Sequence, residues 1–169
     1  MEQTALYQVF VRDYTRLCTL AAGILRDEAL AQDAVQESWL RLYSVRHLDT
    51  RDPEKLRHLV MLTVRHTACN MRRKNLPVPV EDAMLTGIPD DVPLPQEQAE
   101  RAENIRLVSA AMQRLEETDR TILQLQYGQG LNSRQIAAVL GMKSACVRQR
   151  ARRARLAMKK QLEQEGLSL

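Results

Sequence analysis

The sequence predicts an all-α protein built as two small helical domains joined by an acidic, proline-rich linker, the second carrying a helix-turn-helix. Three observations predict it. Apolar residues recur at three- and four-residue spacings along most of the chain, and the Val-Ile-Thr alternation of strands is missing. Aromatics make up only 4%, few for a sheet protein. Pro77, Pro79, Pro89, Pro93 and Pro95 fall within one acidic stretch that cannot hold a helix. The expected boundaries are 1–75 for the first domain, 76–104 for the linker and the start of the next helix, and 105–169 for the second domain.

In the first domain, Tyr7, Phe10, Val11, Tyr14, Leu17, Cys18, Ala21 and Leu25 outline one helix by their spacing. A second runs from about Glu28 to Tyr43, with Leu30, Ala34, Val35, Trp39, Leu42 and Tyr43 apolar and Asp33, Gln36, Glu37 and Arg41 on its polar face. Trp39 and Tyr43 are expected to be core residues. The stretch Ser44-Val-Arg-His-Leu-Asp-Thr-Arg-Asp52 breaks the pattern, and Pro53 can sit in the first turn of a third helix. That helix carries Leu56, Leu59, Val60, Leu62 and Val64 and ends in Arg72-Arg73-Lys74.

The second domain is written most sharply between Asn132 and Lys160. Asn132 can cap a short helix, with Gln135 three residues on to close a capping box. Ala137 is small where two helices cross, and Gly141 stands where the chain must leave the helix through the left-handed region. Val147 returns an apolar side chain to the core that Ile136 and Leu140 fill. This spacing is that of a helix-turn-helix. On the last helix Val147, Ala151, Ala154, Met158 and Leu162 face inward, leaving Arg148, Gln149, Arg152, Arg153, Lys159 and Lys160 outward. Arginine reads guanine and glutamine reads adenine, so base readout belongs to the opening turns of this helix, and the later cations belong on phosphate. The candidate DNA-binding set is Arg134, Ser144, Arg148, Gln149, Arg152 and Arg153. Arg150 and Arg155 lie beside the buried stripe, open to packing or to phosphate.

Charge is segregated behind a net of +4. Residues 76–104 set Glu81, Asp82, Asp90, Asp91, Glu97, Glu100 and Glu103 against Arg101 alone. From Arg134 to Leu169, nine basic residues oppose Glu163 and Glu165. A basic end implies a polyanion partner, and an acidic middle a segment kept off it. The domains are accordingly expected as two lobes on a string. No Ser-His-Asp set, phosphate-cradling glycine loop or metal cluster is apparent, so no enzyme activity and no cofactor is expected. His66 and Cys69 lie one helical turn apart but lack two further ligands. Cys18, Cys69 and Cys146 are expected as reduced thiols. No apolar run reaches a membrane span and no signal-peptide pattern opens the chain, so a cytoplasmic location without membrane insertion is expected.

Several blocks resemble a known family. Asp33-Ala-Val-Gln36-Glu37-Ser-Trp39-Leu40-Arg-Leu-Tyr43 resembles the DxVQExFLxxW signature of bacterial sigma factors. Leu62-Thr-Val-Arg65-His66 through Arg72-Arg73 is similar to the block that usually reads LTIARN before an arginine pair. Leu115 to Tyr127, Gly130-Leu131 and Ile136-Ala137 to Arg155 are similar to LPxxxRxVLxLRY–GLSxxEIAxxLGxSxGTVKSRxxRAR. Here His66 stands where Asn is usual, Asn70 for Asp and Cys146 for Thr, and Lys143-Ser144-Ala145 replaces Ser-x-Gly. With two lobes the chain resembles the extracytoplasmic-function group of the sigma-70 family.

The resemblance implies an alternative sigma factor that binds core RNA polymerase and directs promoter recognition. It implies docking of Asp33, Gln36, Glu37, Leu40 and Arg41 on the polymerase β′ coiled coil, and of the second lobe on the β flap. It implies −10 contacts from Arg46, His47, Arg51, Arg65, Arg72, Arg73 and Lys74, −35 contacts from the basic helix, and control by an anti-sigma factor. The alternative is a stand-alone helix-turn-helix regulator that dimerises or senses a ligand through its first lobe. A dimer face would be apolar across the exposed side of the second helix, which is polar here.

Overall fold

The computed structural model describes residues 2–75 and 96–167. All regular structure there is helical: α1 Glu2–Leu25, α2 Glu28–Ser44, α3 Pro53–Asn75, α4 Gln96–Gln113, α5 Glu117–Leu123, α6 Ser133–Leu140 and α7 Ser144–Gln164. The proline-rich segment 76–95 lies outside the described residues.

Helix starts follow local chemistry. Asp27 caps α2 by accepting from the Leu30 N–H at 3.0 Å. Before α3, Asp52 Oδ1 accepts from the Glu54 and Lys55 N–H groups at 3.0 and 3.2 Å, and Pro53 fills the first helical position, where no donor is needed. The capping box of α6 is complete: the Gln135 N–H donates to Asn132 Oδ1 at 2.9 Å and the Asn132 N–H donates to Gln135 Oε1 at 3.0 Å. Gly141 ends α6 at φ 66° and the Met142 N–H returns to the Ala137 carbonyl at 2.9 Å. The sequence pattern does not announce the π-helical turn Gln124–Gly128 that prolongs α5.

Helices α1–α3 pack on one another through Leu6, Phe10, Leu17, Ala21, Val35, Leu42, Val60 and Val64. Asp13, buried on α1, pairs with Arg57 of α3 at 3.0 Å, and Ser38 of α2 donates to Thr67 of α3 at 3.1 Å. The buried stripe of α1 is displaced from the expected one: Leu6 and Ile24 replace Tyr7 and Leu25, while Tyr7, Val11 and Tyr14 are exposed. In the second half, Ile122, Leu125, Ile136, Leu140, Val147 and Ala151 are buried, and α4 lies on α7 around Leu115, Leu123 and Ala154. Arg120 gathers the end of α4 by donating to the Met112, Gln113 and Leu115 carbonyls, each at 3.0 Å.

The two halves are not lobes on a string. Helix α6 packs on α2, and α5 and α6 pack on α3. Buried side chains from Leu6 to Ala68 and from Ile122 to Ala151 form one continuous apolar cluster. The physical reason is apolar area that composition alone does not assign: the rear of the helix-turn-helix covers the flank of the first bundle.

Candidate nucleic-acid interface

The basic helix has the predicted geometry. Val147, Ala151, Ala154 and Leu162 are buried and Met158 is partly so, while Arg148, Gln149, Arg152, Arg153, Lys159 and Lys160 are exposed. Arg134 on α6 is also exposed, and Ser144 opens α7 half-buried. Arg148, Gln149 and Arg152 therefore project together from the first half of α7 beside the Gly141 turn. Arg153 points outward too, although its Nη2 lies 3.6 Å from Asp119 Oδ2.

Of the two ambivalent arginines, Arg150 is engaged inside the protein. Its Nη1 donates to Asp119 Oδ1 at 2.8 Å and lies 3.6 Å from Glu116 Oε2. That hydrogen bond raises the guanidinium pKa above its ordinary value. Arg155 is exposed and donates to Gln126 Oε1 at 3.2 Å.

On the first bundle, Asp33, Gln36 and Leu40 are exposed along α2, Leu40 at 65%. Glu37 is half-buried and pairs with Arg41 one turn on. Arg41 is not a solvated residue: its guanidinium lies 3.3 Å from where a Cβ on Gly141 would stand, pressed against the turn of the second half. Trp39 is half-buried and meets the rings of Tyr7, Phe10 and Tyr43 at 6.1, 5.1 and 5.6 Å. Tyr43, expected in the core, is exposed at the edge of this aromatic group, with Trp39 lying between it and the buried Phe10.

The loop 45–52 is ordered by its own side chains. Val45 and Leu48 are buried beneath it and His47 occupies the left-handed region at φ 60°. Arg51 grips Asp49 through Nε and Nη2, both at 2.9 Å, and these bonds draw the Asp49 carboxyl down to about 2. Beside the loop is a cavity of about 440 Å³ lined by Gln3, Leu42, Tyr43, Arg46 and His47 among others.

The cations of α3 divide. Arg72 and Lys74 make no ion pair among the described residues, whereas Arg65 and Arg73 turn toward α5. Arg65 Nε is 3.9 Å from Glu117 Oε1, and Arg73 reaches Glu116, Glu117 and the Thr118 hydroxyl at 3.8, 3.7 and 3.5 Å. His66 is buried behind them. Desolvation first, then the charges of Arg41, Arg73 and Arg150, push its pKa down from 6.5 to about 4. Cys69 is driven up to about 12 by burial and by Glu117, so it is an inert thiol. All three cysteines are free, and no group of metal-binding side chains occurs among the described residues.

Residues 9–76 match the family described as Sigma-70 region 2, and residues 105–158 match Sigma-70, region 4. The chain belongs to the sigma-70 family. The region 2 match spans nearly all of α1–α3 with the loop 45–52, and the region 4 match runs from α4 well into the basic helix. A curated relative, the probable RNA polymerase sigma factor RfaY of Xanthomonas campestris pv. campestris, is 30% identical over 166 residues, covering 96% of this chain. The chain spans 41% of that relative's length. A solved structure, that of CnrH in complex with the cytosolic domain of CnrY, is 21% identical over 95% of this chain and 89% of its own, with a TM-score of 0.40. No described helix is long and apolar enough to cross a membrane.

The acidic turn Glu116-Glu117-Asp119 is the element that sequence reasoning missed. The signal available was its three carboxylates, the only acids between Ile105 and Ser133, where they balance Arg106, Arg114 and Arg120, but their partners lie 31 to 52 residues away.

Proposed function

We propose that this chain is an alternative sigma factor of the extracytoplasmic-function group, which binds core RNA polymerase and directs it to promoters. The observation that carries the reading is the order of parts in one chain. A region 2 match with an exposed polar stripe on α2 precedes a region 4 match with the geometry of a helix-turn-helix. Residues 1–75 act as the region 2 unit, 76–104 as linker and helix start, and 105–169 as the region 4 unit.

In this reading Asp33, Gln36, Glu37, Leu40 and Arg41 dock on the β′ coiled coil, the exposed Leu40 supplying the apolar centre and the charges the register. Arg148, Gln149 and Arg152 enter the major groove at −35, while Arg134, Ser144, Arg153 and Lys159 hold phosphate. At −10, single-stranded bases leave the stack as the duplex opens. The cavity beside Tyr43, Arg46 and His47 takes one of them, the tyrosine ring offering a stacking face. Arg51, Arg65, Arg72, Arg73 and Lys74 hold the backbone there. An apolar groove of about 740 Å³ between α4, α5 and α7, lined by Val108, Met112, Tyr127 and Met158, receives the β flap. An anti-sigma factor is the expected regulator, and the cytoplasm the expected compartment.

Run-off transcription with purified core polymerase and genomic promoter fragments tests the reading: transcripts should depend on this protein. Replacing both Asp33 and Glu37 by lysine should leave the bundle folded, because both lie off the core, and should abolish transcription and co-purification with core polymerase. Unchanged co-purification at moderate salt overturns the assignment of that face.

A further inference from the structure

The methionines among the described residues are all half-buried, but they sit in two different surroundings. Met61, Met71 and Met142 pack against the large apolar cluster. Met112 of α4 and Met158 of α7 pack instead against the small cluster of Leu115, Leu123 and Ala154. Both also line the groove of about 740 Å³ between α4, α5 and α7. Each thioether therefore belongs to the surface on which an apolar partner settles. Val108 and Tyr127, exposed at 40% and 67%, line the same groove. Tyr127 comes from the π-helical turn, a distortion that recurs at functional sites.

We propose that Met112 and Met158 are a paired oxidation site, at which conversion of the two thioethers to sulfoxides closes the α4–α7 groove to its apolar partner and re-reduction reopens it. The consequence rests on the reading of the groove as the β flap receptor; the chemistry does not. With a peroxide, a sulfur lone pair takes up one oxygen, the O–O bond breaks and water leaves. The sulfur is oxidised by two electrons and the peroxide is reduced. No proton has to leave the side chain first, whereas a thiol reacts as its thiolate. That difference separates the methionines from the cysteines. Burial, and then Glu117, drive Cys69 up to about 12, so it stays a thiol, and neither Cys18 nor Cys146 lines the groove. The oxidised surface is chemically new. A sulfoxide oxygen is a polar acceptor where the thioether offered a soft, adaptable apolar contact. An apolar partner dehydrates that oxygen without supplying a donor, which lowers affinity about tenfold for each oxygen so buried.

The test treats the full-length protein with hydrogen peroxide and then with dithiothreitol. The thiol reagent returns disulfides and sulfenic acids at the three free cysteines and leaves sulfoxides in place. Peptide mass spectrometry should find oxygen on Met112 and Met158, with helical circular dichroism retained. Run-off transcription from a promoter that needs its −35 element should fall about tenfold or more. The two methionine sulfoxide reductases, one for each sulfoxide epimer, should restore it. Met112→Leu with Met158→Leu, close in volume, should show the same activity before and after peroxide, whatever its starting level. Core polymerase lacking the tip of the β flap separates the two claims. If the untreated protein transcribes equally with and without that tip, the flap assignment fails and the switch fails with it. If the tip is needed, yet oxidised and untreated protein transcribe alike, the flap assignment stands and the switch alone is overturned. Oxygen found only on other methionines, a loss of helicity, or an activity loss that the leucine variant shares also overturns it.

Discussion

Arg148 and Arg150 stand two residues apart on one helix and should fail in opposite ways when replaced. Arg150 lies in a nearly closed site: its side chain is 27% exposed and that of Asp119 only 9%, with 2.8 Å between them. Breaking a fully buried pair by deleting one partner costs about 3–5 kcal/mol, because the remaining charge is stranded. Here the exposed quarter of Arg150 and the nearby Arg153, 3.6 Å from the other Asp119 oxygen, screen part of that loss. The expected cost of Arg150→Ala is therefore about 2 kcal/mol, or roughly 4–8 °C in melting temperature for a chain of this size unfolding as one unit. Its −35 sequence preference should be unchanged once folding is restored by lower temperature. Arg148→Ala removes an exposed side chain and should leave stability within about 0.5 kcal/mol. It should cost about 1–3 kcal/mol at the cognate −35 element and relax preference at one base pair. Urea denaturation followed by circular dichroism gives the first quantity, and promoter-library transcription gives the second. A double-mutant cycle of Arg150→Met with Asp119→Asn should show coupling of about 1 kcal/mol or more. If Arg150→Ala melts like the wild type and shifts the preferred −35 sequence, the helix is docked by a different face and the internal role of Arg150 is wrong.

Asn132→Ala should lower stability by about 1 kcal/mol through loss of the helix cap, measurable in the urea midpoint, and an unchanged midpoint would remove the capping box from the account. His66 holds its pKa at about 4 in the folded protein against 6.5 ordinarily, so between those values the unfolded chain takes up a proton that the folded one refuses. Stability should be full above pH 6.5 and fall by up to about 3 kcal/mol as pH drops through 4, with His66→Asn flattening that part of the profile; parallel profiles would discard the assignment. Lys159→Ala should weaken DNA binding evenly across sequences and reduce the salt slope by about one unit in anisotropy titrations, whereas a changed −35 preference would contradict phosphate contact.

What the sequence determined by itself is local. The capping box, the left-handed Gly141, Pro53 opening α3 and the Val147–Ala151–Ala154–Leu162 stripe depend on neighbours within a few residues, whose geometry a helix fixes in advance. The outward set from Arg148 to Lys160 follows from the same period. Apolar periodicity was less reliable on α1, where Tyr7, Val11 and Tyr14 share a face left exposed among the described residues and Leu6 and Ile24 sit inside. The period tells which side chains share a stripe, and only the partner helices decide which stripe of a broadly apolar helix is buried. Charged residues depend on tertiary structure still more. Arg41, Arg65, Arg73 and Arg150 are written like Arg148, yet the packing of α6 on α2 and of α5 on α3 and α7 turns them toward Gly141 and the Glu116–Asp119 turn. A long flexible cation can meet any carboxylate within reach, and which one that is depends on helix crossings made far away in the chain.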